Sequence, residues 1–169
     1  MADEIPTPPE KQLQLQKIYI KDLSFESPKT PDVFATNAAP QTQLNIRSGA
    51  REVAPDTQEV TLTLTVEAKD EDKTLFLIEL VQAGIFLIKG YTEEEHQMLT
   101  GSYCPSSLYP FAREAIADIV TRGGFPQLLL QPINFDALYA QAMRERASGN
   151  GGEQGSAAPQ AEQPPEETH

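Results

Sequence analysis

From Glu59 to Ala68 the chain alternates without a fault: Val60, Leu62, Leu64, Val66 and Ala68 against Glu59, Thr61, Thr63, Thr65 and Glu67. A period of two puts all the apolar side chains on one face of a strand and all the polar ones on the other. Such a strand needs a sheet around it and a hydrophobic layer beneath. A charged turn, Asp70 to Lys73, leads into a second long strand pattern, Thr74 to Ile88, in which Gly84 marks a bulge or bend. This strand is different. Phe76, Ile78 and Leu80 form one apolar face, while Leu75, Leu77, Val81 and Ala83 make the other face nearly apolar too, broken by Glu79. A sheet covered on one side only has little use for that second face. It is covered by another layer of the same protomer, or it is an interaction surface.

Two further strands precede these. Ile18 to Glu26 carries Tyr19, Leu23 and Phe25 at its odd positions, interrupted by Lys21, and Ile18, Ile20, Asp22, Ser24 and Glu26 at its even ones. Thr42 to Ser48 places Leu44 and Ile46 on one side and Gln43, Asn45 and Arg47 on the other. The connection between them holds Pro28, Pro31 and Pro40 and is too long for a hairpin, so the second strand crosses over rather than pairing simply with the first. Helices follow the four strands. Thr92 with Glu95 reads as a capping box for a short helix ending near Gly101. Ser106 to Arg122 repeats Leu108, Phe111, Ala112, Ala115, Ile116, Ile119 and Val120 at helical spacing and stops at Gly123-Gly124. Asn134 caps a third helix, Phe135 to Ala147, with a stripe of Phe135, Leu138, Tyr139 and Ala142. Strands first and helices after them predict an α+β fold: a four-stranded antiparallel sheet with helices packed on one face.

The ends read differently from the middle. Residues 1–12, with Pro6, Pro8 and Pro9 among acids, and residues 148–169, rich in Gly, Ser, Gln, Pro and Glu, lack the apolar area that offsets the entropy of ordering. Residues 13–147 then form one domain. The formal charge is −12, with no run of Lys or Arg. That disfavours nucleic acid and an anionic membrane surface as partners, and allows basic ones. The single Cys104 excludes an internal disulfide and suits a reducing compartment. No secretory signal or membrane-length apolar run is visible, which predicts a soluble cytoplasmic protein without direct membrane insertion.

Catalytic patterns are missing. His96 and His169 have no Ser or Cys partner at a motif spacing. One Cys and two separated His do not make a structural zinc site. Gly123-Gly124 lacks the Lys and spacing of a phosphate loop. Glu93, Glu94 and Glu95 suit the positive end of a helix dipole. An enzyme, such as a small thioester hydrolase with an acidic base, requires a titratable group in a closed pocket, and no obvious one is offered. What remains is surface. The connection Thr121 to Asp136 is apolar where connections are ordinarily polar, so its work is contact. The sheet face opposite Phe76 and Ile78 carries Leu77 and Glu79. If Tyr19, Leu23 and Phe25 point to the core, it also carries Ile20, Asp22 and Glu26. Acids mixed with aliphatics suit a basic partner with some apolar contact; the same residues also describe an ordinary solvated strand face.

Taken in order, Ile18-Tyr-Ile-Lys-Asp-Leu-Ser-Phe-Glu26, Gly84-Ile-Phe86, Tyr103-Cys-Pro105, Tyr109-Pro110, Ala112-Arg-Glu114, Arg122-Gly-Gly-Phe-Pro-Gln127 and Pro132-Ile-Asn-Phe-Asp-Ala-Leu138 resemble the SecB protein-export chaperone family, over about Leu15 to Met143. The resemblance implies a cytoplasmic, ATP-independent chaperone without catalysis or cofactor. It implies a homotetramer, a dimer of dimers whose sheets extend by edge pairing. The chaperone would hold precursor proteins unfolded and deliver them to the SecA motor. Carried over by motif, the contact with the basic, zinc-binding C-terminal tail of SecA falls on Asp22, Glu26, Leu77 and Glu79, the zinc belonging to SecA. The client groove falls on Phe34, Phe125, Leu128, Leu129 and Leu130. The alternative is a non-catalytic adaptor that binds folded partners.

Overall fold

The computed structural model describes residues 6–149, so expectations for residues 1–5 and 150–169 fall outside the described residues. Four long strands, β1 (Gln12–Glu26), β2 (Gln41–Ala54), β3 (Thr57–Asp70) and β4 (Lys73–Lys89), are followed by α1 (Glu93–Met98), a π-helical turn (Leu99–Tyr103), α2 (Cys104–Arg122) and α3 (Phe135–Ala147). The sheet is antiparallel throughout, in the order β1-β4-β3-β2. The proline-bearing connection, which includes a 3-10 turn at Asp32–Ala35, therefore crosses from one edge of the sheet to the other.

The two central strands make the core. Val60, Leu62, Leu64, Val66 and Ala68 of β3 and Ile78, Leu80 and Phe86 of β4 are fully or almost fully buried, and Leu108, Ala112, Ile116 and Val120 of α2 close over them. Gly84 is no bulge. A Cβ there would come within 2.8 Å of the Leu108 side chain, so its bareness lets α2 approach β4. The irregularity in β4 lies elsewhere, at Leu75, between the pairs Ala68↔Phe76 and Lys69↔Thr74.

The edge strands are longer than their own sequences suggest. β1 begins at Gln12 rather than Ile18, and β2 continues to Ala54 rather than stopping at Ser48. Polar residues with weak strand preference extend because the neighbouring strand offers a ladder, as in Gln12↔Lys89 and Arg51↔Glu59. The capping box at Thr92 and Glu95 is formed in both directions. The helix it starts does not end near Gly101 but runs through the π-helical turn into α2, so Pro105 falls in the first turn of α2 and Pro110 inside it. Phe111, read as part of the buried stripe, is 45% exposed. Asn134 caps α3 by accepting from the Ala137 amide at 3.0 Å. The π-helical turn positions α3: Ser102 donates to the Asp136 carboxylate, and Gly101 leaves room for the Tyr139 ring.

Candidate functional site

Two surfaces invite contact, one on each side of the sheet. On the side away from the helices, no described element covers β1 and β4. Directly paired residues share a face, and the register pairs Glu26 with Leu77, Ser24 with Glu79 and Asp22 with Val81. Asp22, Glu26, Leu77 and Glu79 therefore stand on one face as one patch. Glu79 lies diagonally between Asp22 and Glu26, with diagonal neighbours spaced about 7–8 Å apart in an antiparallel pair. The three acids are exposed and Leu77 is half-buried. Among the described residues none of the three acids has a Lys or Arg partner.

The assignment of neighbours needs one correction. Ile20 does not join this patch. It pairs with Gln82 on the helix side, as Leu23 does with Leu80 and Phe25 with Ile78. Tyr19 pairs with Ala83 and takes the outer face instead. Two register slips in β1, between Leu15 and Lys17 and between Ile20 and Asp22, reverse the alternation twice. Simple counting of odd and even positions breaks at each of them.

The same face carries a further acid in a different setting. Glu59 of β3 is 6% exposed. Its carboxylate accepts from Tyr19 Oη at 2.7 Å, from Lys21 Nζ at 2.6 Å and from Arg51 Nε and Nη2, each at 3.3 Å. Hydrogen bonds from Arg51, Lys21 and Tyr19 hold it well below the usual carboxylate range, at about 2. The hairpin about Pro55-Asp56 sets Arg51 opposite Glu59.

On the helix side, four aromatic rings form a chain from the core to the surface. Phe76, buried, lies 5.0 Å from Phe125 and 6.0 Å from Phe25, and Phe125 lies 5.4 Å from Phe34. Phe34, in the 3-10 turn of the crossover, is 53% exposed. Gly123-Gly124 does more than end α2: a Cβ at Gly123 would run into the Phe25 ring, and Gly124, at φ +86°, leaves Phe34 the space where its own Cβ would stand. The apolar connection is itself pinned, Tyr109 Oη donating to the Gln131 carbonyl at 2.6 Å.

The five residues expected to line one groove are not all brought together. Phe34 and Phe125 touch. Leu128 is half-buried against the core. Leu130 is 6% exposed and part of the core, because the connection must bury some of its own aliphatics to stay attached. Leu129, 63% exposed, lines a separate concavity of about 490 Å³ with Pro110 and Ala117 of α2, and Leu130 contributes to its floor. A larger cleft of about 570 Å³, not read from the sequence, opens between β2 and α3, with Ile46, Ala50, Leu138, Tyr139 and Met143 among its walls.

Among the described residues, the nucleophilic and titratable groups in the interior are few and engaged. Cys104 is buried, and desolvation pushes its thiol up to about 12. Burial also raises Tyr109, whose hydroxyl is committed to Gln131. No group of three or more His, Cys, Asp and Glu gathers as a metal site among the described residues, and no described helix is long and apolar enough to cross a membrane.

The model of the family described as preprotein translocase subunit SecB matches residues 7–146. The chain belongs to the SecB family. A protein-export protein SecB of Nitrosococcus oceani is 51% identical over 144 residues, 84% of this chain and 88% of that one. Its counterpart in Methylococcus capsulatus is 48% identical over 136 residues, 80% of this chain and 88% of the other. Among solved structures, the Mycobacterium tuberculosis Rv1957 SecB-like chaperone, captured with a ChAD peptide from the Rv1956 HigA1 antitoxin, superposes with a TM-score of 0.62 at 16% identity, covering 72% of this chain and 90% of that one. At that identity the likeness speaks for the fold. For a SecB-family chain, Phe25, Phe76 and the Glu59 cluster are what sequence reasoning passed over. Phe25 and Phe76 read as ordinary core, and no spacing in the chain announces that Tyr19, Lys21 and Arg51 converge on one carboxylate.

Proposed function

We propose that this SecB-family protein-export chaperone holds unfolded precursor chains on its aromatic groove and hands them to SecA through the acidic face of its sheet. The observation that carries the reading is the aromatic chain from Phe76 through Phe125 to Phe34. It is anchored in the core at one end and open to solvent at the other. Unfolded polypeptides expose apolar side chains without regard to order. A surface of rings removes them from water and reads no sequence. Burying one Phe or Leu of a client gains about 1.5–3 kcal/mol. Several such contacts along one chain, with the β2–α3 cleft as a further seat, add up through effective concentration. Holding of this kind requires no nucleotide and no catalysis.

Release then depends on transfer. Asp22, Glu26 and Glu79 lie close together without a cation, so a basic tail relieves their mutual repulsion while Leu77 offers it an apolar contact. The zinc-binding C-terminal tail of SecA has the complementary charge, and its zinc ligands are its own. The free edge of β1, with Leu15, Ile20 and Leu23 each more than a third exposed, and the exposed Phe111 of α2 support assembly as a dimer of dimers. The cytoplasm is where such a chaperone meets its clients.

The test is suppression of aggregation of a reduced, unfolded polypeptide without nucleotide, with wild type and Phe34→Asp side by side. Phe34 is exposed enough that the substitution leaves the fold intact. The variant is expected to bind client about tenfold more weakly, the loss of one buried aromatic contact. A wild-type protein that does not suppress aggregation, or a variant that holds clients equally well, defeats the proposal and favours an adaptor for folded partners.

A further inference from the structure

The acids of the outer face owe their position to an irregularity in β1. Between the two slips the even residues of β1 pair on the helix side, Ile18 with Gly84 and Ile20 with Gln82. After Asp22 the odd residues do, Leu23 with Leu80 and Phe25 with Ile78. Between Ile20 and Asp22, β1 spends two residues where β4 spends one, from Gln82 to Val81. Lys21 is the extra residue. Were β1 regular here, Asp22 and Glu26 would turn toward the helices, and Leu23 and Phe25 would turn to water.

A bulge disturbs the ladder and needs support, and this one is supported from both faces. On the helix side, the Tyr19 carbonyl accepts from Gln82 Nε2 at 3.0 Å, and Gln82 is one of the few buried polar side chains, 2% exposed. On the outer side, one carboxylate grips the residues around the slip: Glu59 accepts from Tyr19, just before it, and from Lys21, the extra residue itself. Glu59 reaches them from β3, across β4, and is steadied from β2 by Arg51. Phe25, stacked on Phe76, secures the end of β1 independently. The packing of Phe25 thus demands a slip somewhere before it, and nothing in that packing says where.

We propose that Glu59 is a positioning residue for the acidic face, confining the slip in β1 to Lys21 so that Asp22 is presented outward. Without it the slip migrates between Ile20 and Leu23, Asp22 divides its time between the two faces, and Glu26, tethered through Phe25, stays in place. The proposal rests on the outer-face reading of partner binding, and it separates the acids in a way that reading does not: Glu59 acts through Asp22 and not through Glu26.

The experiment is a double-mutant cycle on the full chain, with the zinc-loaded C-terminal peptide of SecA as probe and backbone amide exchange read in parallel. Glu59→Gln is expected to weaken the peptide about fivefold and to speed exchange from Tyr19 to Leu23 without speeding it in the middle of β3. In an Asp22→Asn background it should add less than about twofold, and in a Glu26→Gln background its full effect should return. Equal additivity in both backgrounds, or wild-type exchange across the bulge, overturns the proposal. If Asp22→Asn alone leaves peptide binding unchanged, the outer-face reading is the one that fails, and the exchange rates decide the clamp by themselves: faster keeps it, unchanged ends it. Tyr19→Phe removes a single donor and gives a milder form of the same readout should Glu59→Gln fold poorly.

Discussion

One half of the outer sheet face is organised around Glu59 and the other around Glu79, and the halves spend their charge differently. Glu59 is covered, accepts from three side chains and shares two cations. Glu79 is exposed, flanked by Asp22 and Glu26, and has no cation partner among the described residues. A carboxylate whose acceptor sites are already filled is structural, because a partner gains nothing by approaching it. Carboxylates left crowded and unpaired are available for recognition. Residue type does not distinguish the two. The donors within reach do.

The contrast predicts effects of different kind and size. The largest belongs to the unpaired half. Asp22→Lys together with Glu79→Lys should weaken the SecA tail peptide by about 100-fold or more, through repulsion of like charges, and leave the melting temperature nearly unchanged. Calorimetric titration measures the first and thermal unfolding the second. Retained affinity would remove the acidic half from the partner site.

Next comes the satisfied half. Glu59→Ala should destabilise by about 2 kcal/mol, since it strips three donors of a shared acceptor, whereas Glu79→Ala should fall within about 0.5 kcal/mol. Equal shifts in the denaturant midpoint would erase the distinction. The pH dependence has a definite sign. The Glu59 carboxyl is lowered from its ordinary 4.5 to about 2 in the folded chain. Its contribution is therefore complete above about pH 4.5 and fades as pH falls toward 2. The stability gap between wild type and Glu59→Gln should be level from pH 7 to 5 and close steadily below that.

The smallest expected effect is Glu26→Gln, a rim charge beside Leu77. About a threefold loss in peptide affinity, carried mainly by slower association and a weaker salt dependence, marks a steering role. A large loss carried by faster dissociation would instead make Glu26 a central contact.

The middle of the sheet was legible because burial enforces its pattern. Val60 to Ala68 alternates in sequence and is buried in the same alternation, and the crossover of β2 followed from loop length alone. The chosen acids, Asp22, Glu26 and Glu79, do share a face with Leu77, but Ile20 and Tyr19 were exchanged because a bulge leaves no mark in residue spacing. Its supports, Gln82 and Glu59, are each one polar residue in a strand, and only the folded register aims them at β1. Of the residues proposed for a client groove, Phe34 and Phe125 touch, while Leu129 is exposed and Leu130 buried, since a sequence of three leucines does not say which turns inward. The helical run from Glu93 to Arg122 was divided between Gly101 and Ser106, because a π-helical turn breaks the ordinary helical spacing there without ending the run.

The rings of Phe25 and Phe34 lean on bare backbone at Gly123 and Gly124. On the proposed reading, grip on a client and intactness of the last turn of α2 are one mechanical quantity: a load that unwinds the turn takes the shelf from under both rings together. Neither glycine can acquire a side chain without displacing a ring, so on that reading any change in the hold has to come from the rings and not from the turn beneath them.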